Sequence, residues 1–246
     1  DHNTGVGYQA LYSNVTGAEN TAVGAKALYA NTASYNTAMG YRALVANTTG
    51  TSNTAIGFDS LRIATTVSNN TALGYRALEE NTTGSQNTAC GSEALRENTT
   101  GANNTAVGYG ALDANTTAND NTAVGRNALG ANTTGAQNVA IGKDALDANT
   151  TANDNTAVGT GALGANTTGG QNVAVGTYSL DANTTASYNT AIGYWALSDN
   201  TTGQTNSAVG RGSLKANTTG DDNCAFGHEA LYVNTGGSKN IAIGRA

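Results

Sequence analysis

The sequence has no proline in 246 residues, and only two cysteines, two histidines, two phenylalanines, one methionine and one tryptophan. A collagen needs proline beside a glycine at every third residue, and a proline-rich spacer is excluded outright. Charge is scarce as well, at 11% of residues, with a net charge of −6 and no run of Lys or Arg. The electrostatic footprint of a nucleic-acid or anionic-membrane partner is therefore missing. No stretch approaches the ~20 apolar residues of a membrane-spanning helix, and no basic start followed by an apolar block marks a signal peptide. A charge-driven disordered chain does not fit either.

What is abundant is glycine, 32 residues, and self-similarity. A fixed period of tens of residues decides a fold before local structure does. The phrase Asn-Thr-Ala-Val-Gly recurs from Asn3, Asn20, Asn36, Asn53, Asn70, Asn87, Asn104, Asn121, Asn138, Asn155, Asn172, Asn189, Asn206, Asn223 and Asn240. Thirteen of the fourteen intervals are 17 residues and one is 16. The unit reads N-T-A-[VI]-G-x-x-A-L-x-A-N-T-T-[GA]-x-x, and its positions are numbered from that first Asn. Position 5 is Gly in every copy, Gly7 to Gly244, and position 9 is Leu in every copy, Leu11 to Leu231. The short copy, Asn31-Thr32-Ala33-Ser34-Tyr35, lacks one Thr relative to the segment that runs from Asn183 to Tyr188. Length changes are absorbed in loops, so Asn-Thr-Thr-Gly is a turn, which Asn and Gly favour.

Charge maps what faces water. Apart from Asp1, every charged residue falls at positions 6, 7, 10, 11, 16 or 17. The other positions are left for a core, a tight turn or a subunit contact. Position 4 is always apolar and position 2 is Thr, Val, Ser, Cys or Ile, so period-2 alternation assigns these two to one buried strand face. Positions 1, 3 and 5 (Asn, Ala, Gly) then form the opposite face, open to close approach by another chain, with Ala123, Ala140 and Ala157 as subunit contacts. Stacking such strands in register predicts an all-β fold, a parallel β-solenoid or β-roll with one 17-residue coil per repeat and about 14 coils, forming a single repeat domain over 1–246. For the second half of each coil two alternatives stand, a wholly β coil or a strand plus a short helical turn.

Motifs that carry chemistry are few. Gly159-Thr160-Gly161-Ala162-Leu163-Gly164 matches a dinucleotide fingerprint by letter, but no long helix or βαβ acid follows it. Cys90 and Cys224 lie eight coils apart, too far to pair, and read as small core hydrophobes. His2 and His228 stand apart from any ligand cluster, so neither metal nor cofactor is implied. Asn-Thr-Thr matches a glycosylation rule only as a by-product of turn chemistry. The nearest acids for glycoside cleavage are Glu79 and Glu80 with Glu97 in the next coil. Tyr8, Tyr41, Phe58, Tyr75, Tyr109 and Tyr194 share position 6, with Tyr178 and Trp195 at position 7, an aromatic edge that either covers the coil corner or forms a carbohydrate or protein contact stripe.

Phrases such as Asn121-Thr122-Ala123-Val124-Gly125 and Asn138-Val139-Ala140-Ile141-Gly142, each followed by Ala128 or Ala145, resemble the YadA-like head repeats of trimeric autotransporter adhesins. They are also similar to modules of bacterial surface fibres and phage tail fibres. The resemblance covers essentially the whole chain, with each coil lengthened by the Leu and the Asn-Thr-Thr-Gly turn. It implies a left-handed parallel β-roll, three chains packed side by side as a homo-oligomer, and an extracellular, cell-surface or phage-tail setting. The expected function is a non-enzymatic structural or adhesive module that touches a host-surface protein or carbohydrate. Unit boundaries at both ends suggest a fragment of a longer fibre or an end-to-end assembly. Two rival classes are an ice-binding solenoid, from Thr in register, and a polysaccharide-cleaving tailspike.

Overall fold

The computed structural model describes residues 2–245; the two ends of the expected 1–246 domain, Asp1 and Ala246, lie outside the described residues. The chain forms two compact units, Asp1–Asn121 and Thr122–Ala246. Every repeat opens on a three-residue strand. The first unit holds β1 (Thr4–Val6), β2 (Thr21–Val23), β3 (Thr37–Met39), β4 (Thr54–Ile56), β5 (Thr71–Leu73), β6 (Thr88–Cys90) and β7 (Thr105–Val107). The second holds β8 (Thr122–Val124), β9 (Val139–Ile141), β10 (Thr156–Val158), β11 (Val173–Val175), β12 (Thr190–Ile192), β13 (Ser207–Val209), β14 (Cys224–Phe226) and β15 (Ile241–Ile243).

Within each unit the strands lie in chain order, all parallel, and like positions pair with like, as in Ala157 opposite Ala174. Each unit is a parallel β-solenoid with a 17-residue coil. The 16-residue copy keeps this register, with Thr21 opposite Thr37, so its turn absorbs the missing residue.

Among the described residues there is no helix. The second half of each coil is instead two successive reverse turns. In coil 2 the Ala27 N–H donates to the Gly24 carbonyl and Asn31 to Leu28, both at 3.3 Å. The remaining N–H groups serve the neighbouring coils. Gly193 donates back to Val175, while Leu180 and Ala182 donate forward to Ala196 and Ser198. A helical turn would direct those donors along its own axis, and coils stacked at about 4.8 Å need them across the stack.

The backbone twists that permit this are repeated in every coil. Positions 7, 9 and 17 carry positive φ, and position 5 lies near φ +135°. At Gly193 a Cβ would sit 2.6 Å from the Gly210 carbonyl oxygen, so only glycine fits.

The strand faces are the reverse of the sequence expectation. Ala123, Ala140 and Ala157 are 0% exposed inside a single chain, so they are core residues and present nothing to a partner subunit. Position 4 faces outward instead, as Val6, Met39, Ile56, Ile141, Ile192 and Phe226 show. The cause is the company inside. Twelve fully buried leucines at position 9 and the alanines of position 8 fill the coil, leaving room for only a methyl at position 3.

Two columns of asparagine complete the interior. At position 1, Asn155 Nδ2 donates to the Gly169 carbonyl of its own coil (2.9 Å), and Asn172 N–H donates to Asn155 Oδ1 (2.9 Å). At position 12, Asn183 Nδ2 donates to Asn166 Oδ1 (3.0 Å) and to the Ala186 carbonyl (3.0 Å). Away from the ends both columns are buried, a placement that works because the amides bond along the column and to neighbouring carbonyls, with Asn47 Oδ1 left unpartnered.

Candidate functional site

Three outward features remain once the interior is accounted for. The first is the strand face of positions 2 and 4. In the first unit it presents seven threonines in register, Thr4 to Thr105, beside Val6, Val23, Met39, Ile56, Leu73, Cys90 and Val107. Cys90 and Cys224 belong to this half-exposed face rather than to the core, and both are free thiols.

The second is the aromatic edge, which the structure divides. Tyr41, Phe58 and Tyr75 stack in consecutive coils at centroid distances of 5.3 and 5.6 Å. Arg42 lies 5.0 Å over the Tyr41 ring and its Nε donates to Asp59 Oδ1 at 2.8 Å. This is a braced surface ladder, the corner-covering alternative. Tyr8 and Tyr109 are exposed without such a stack. Tyr194 and Trp195 form a separate pair at 4.4 Å in the second unit.

The acids singled out for glycoside cleavage do not form a free pair. Glu79 is buried between Arg62 (2.8 Å) and Arg76 (3.2 Å), and Glu97 pairs with Arg96 at 2.7 Å. Arg62 and Glu79 face each other in register at position 10 of adjacent coils, whereas Arg76–Glu79 and Arg96–Glu97 are pairs within one coil. The Asn-Thr-Thr asparagines from Asn47 to Asn217 are the buried column of position 12, so their regularity is internal hydrogen bonding.

The third feature is a cleft of about 320 Å³ lined by Tyr178, Asp181, Ala182, Trp195, Ser198, Asp199 and Lys215. Coils 11, 12 and 13 supply it, through positions 7, 10 and 11. Lys215 Nζ pairs with Asp199 at 3.0 Å and sits 5.9 Å from the Trp195 ring. Burial pushes the Asp181 carboxyl above the ordinary aspartate value. Coil 10 packs against two of these side chains: a Cβ on Gly161 would lie 2.7 Å from the Tyr178 ring, and one on Gly164 would lie 3.0 Å from Asp181 Oδ1. The G-x-G-x-x-G phrase at 159–164 thus makes room for an aromatic ring and a carboxylate.

Sequence reasoning placed Trp195 and Tyr178 on the aromatic edge but missed Asp181, Asp199 and Lys215. The signal was the register itself, since positions 7, 10 and 11 of adjacent coils must meet. Among the described residues no cluster of His, Cys, Asp and Glu is arranged to hold a metal ion, and no helix is long and apolar enough to cross a membrane. No family model, curated protein or solved structure matches the chain. The class defined by the fold is therefore the parallel β-solenoid with 17-residue coils.

Proposed function

We propose that the chain is a non-enzymatic structural and adhesive module of an extracellular fibre or surface adhesin, self-associating through the strand face of positions 2 and 4. The observation that carries this reading is the outward run of apolar side chains at position 4, with Ile141 and Ile192 each 40% exposed and Phe226 54% exposed. A contiguous apolar strip on a sheet marks a contact surface more often than a solvated one. Its in-register repetition suits a homo-oligomer, in which one surface meets copies of itself.

Light scattering on the wild type and on Val158→Lys/Val175→Lys/Ile192→Lys tests it. An oligomer that the three lysines convert to a folded monomer is expected; a monomeric wild type overturns the reading.

A second reading is favoured by one observation, the seven consecutive threonines of the first unit. Their hydroxyls and methyls repeat at about 4.8 Å along the stack, with position 4 about 6.7 Å away along each strand. Such an in-register two-dimensional array suits an ice surface. Thermal hysteresis with ice-crystal shaping would favour this reading over the fibre, and a freezing point equal to the melting point would remove it.

A further inference from the structure

The cleft of coils 11 to 13 joins two aromatic side chains to acids and a base around a cavity. Tyr178 is 41% exposed and Trp195 38% exposed, and their coils are adjacent. Both hold positive φ, +54° and +57°. Bulky side chains are outliers in that region, and position 7 elsewhere often carries Gly, Asn or Asp (Gly110, Asn127, Asp144, Gly161, Gly212). The same twist recurs at position 7 of every coil, so it fixes where these two rings project without setting the cleft apart.

The charges narrow the ligand. Lys215 neutralises Asp199, leaving Asp181 as a negative group that repels phosphates, sulfates and acidic sugars. A cationic ligand meets Lys215 Nζ, which is 5.9 Å from both the Trp195 and the Tyr232 rings and so holds the place a cation would take. What remains is a neutral molecule with an apolar face and many hydroxyls. Carbon-bound hydrogens on one face of a sugar ring pack on an aromatic surface, and its hydroxyls bond to carboxylate and ammonium groups. A volume near 320 Å³ lies at the small end of ligand pockets, about 300–1,000 Å³, enough for one or two sugar rings.

We propose that this cleft binds a neutral saccharide, with Trp195 and Tyr178 as the stacking platform, Asp181 and Asp199 accepting hydroxyl protons, and Lys215 donating to a ring or hydroxyl oxygen. The proposal rests on the adhesive reading, to which it adds a ligand class. The two are measured apart, since none of the cleft residues lies on the strand face of positions 2 and 4.

Trp195 is the chain's sole tryptophan, so its fluorescence reports on the cleft alone. The test titrates the full chain with the methyl glycosides of glucose, galactose, mannose and N-acetylglucosamine and with their trisaccharides, to tens of millimolar. A saturable change is expected with at least one of them. Asp181→Ser and Tyr178→Asn should weaken it about tenfold or more, the loss expected for one charged hydrogen bond or one stacking face. Ser and Asn are chosen because position 10 holds Ser198 in the next coil and position 7 holds Asn127, so the coil accommodates both. Unchanged circular dichroism and melting identify the loss as local. No saturable change with any sugar overturns the proposal, as does equal binding by the two variants, or saturation by tetramethylammonium in place of the sugars.

Discussion

Asn47 has a buried side-chain oxygen without a partner. The cause is one coil on, where position 12 is Ala64, so the amide that would donate to it is missing. In the same coil position 15 is Val67, 2% exposed, where other coils carry Gly or Ala. Side chains at position 15 point toward position 12, as a Cβ on Gly169 would lie 2.7 Å from Asn166 Oδ1. Val67 adds two methyls beyond the Ala that other coils combine with Asn at position 12. Ala64→Asn/Val67→Ala should restore the column and raise stability by about 1 kcal/mol, roughly 2–4 °C in Tm. Ala64→Asn alone should overpack against Val67 and cost about 1–3 kcal/mol. Thermal melting of the three proteins checks both signs. The companion column was legible in one respect, since position 1 is Asn in all fifteen copies and is never exchanged for Asp or Ser. Surface turns vary more than that. It was missed because a buried amide is acceptable only when its partners are known, and those partners belong to other coils.

A second residue-scale prediction concerns Asp147. Burial raises its carboxyl above the ordinary value, the nearby charge of Asp144 adds to this, and Arg126 opposes it. The native state then binds the proton more tightly than the unfolded chain. Stability accordingly falls as pH rises from the unfolded value, about 3.9, through the raised native one. The penalty is complete above that window and disappears below it. Asp147→Asn should melt higher than wild type at pH 7, with the difference closing as pH is lowered toward about 4. A gap that widens on acidification would refute the assignment.

At the scale of the coil, the invariant glycine of position 5 and the invariant leucine of position 9 differ in how much they disclose. Glycine at a fixed place announces a conformation that other residues resist, and φ near +135° is that conformation. Leucine announces burial, and Leu28 to Leu214 are fully buried. It does not announce that its own backbone is left-handed, as Leu163 is at φ +53°. The helical-turn alternative followed from Ala-Leu propensities, and the neighbouring coil overrode them by offering carbonyls at positions 8 and 10. Gly193→Ala puts a methyl against the Gly210 carbonyl in a region L-residues rarely adopt. A loss of about 2–4 kcal/mol is expected, the combined cost of backbone strain and overpacking. Denaturant titration reads it, and a change below about 0.5 kcal/mol, the scatter of neutral surface substitutions, would show that the coil can shift.

At the scale of the whole molecule the question is which strand face meets water. Alternation divides the residues into two sets without saying which is inside. Size favoured positions 2 and 4 for the interior, because Val, Ile and Phe226 are larger and less polar than Asn, Ala and Gly. The coil reverses this, since one Leu per turn already supplies the apolar volume and each amide column is satisfied within itself and by the position-15 carbonyls. The two assignments predict opposite outcomes for one variant. Were Ala123, Ala140 and Ala157 at a subunit contact, leucine at all three would separate folded chains. Buried at 0% exposure, they leave no space for the added carbons. Ala123→Leu/Ala140→Leu/Ala157→Leu should cost about 1–3 kcal/mol per site, and repeats that depend on their neighbours pass such a loss along the stack. Circular dichroism and melting should show loss of structure in the second unit rather than a folded monomer. Val158→Lys/Val175→Lys/Ile192→Lys, one residue along from buried alanines in β10, β11 and β12, should leave the fold intact. If the leucine variant melts like wild type while the lysine variant unfolds, the faces are the other way round.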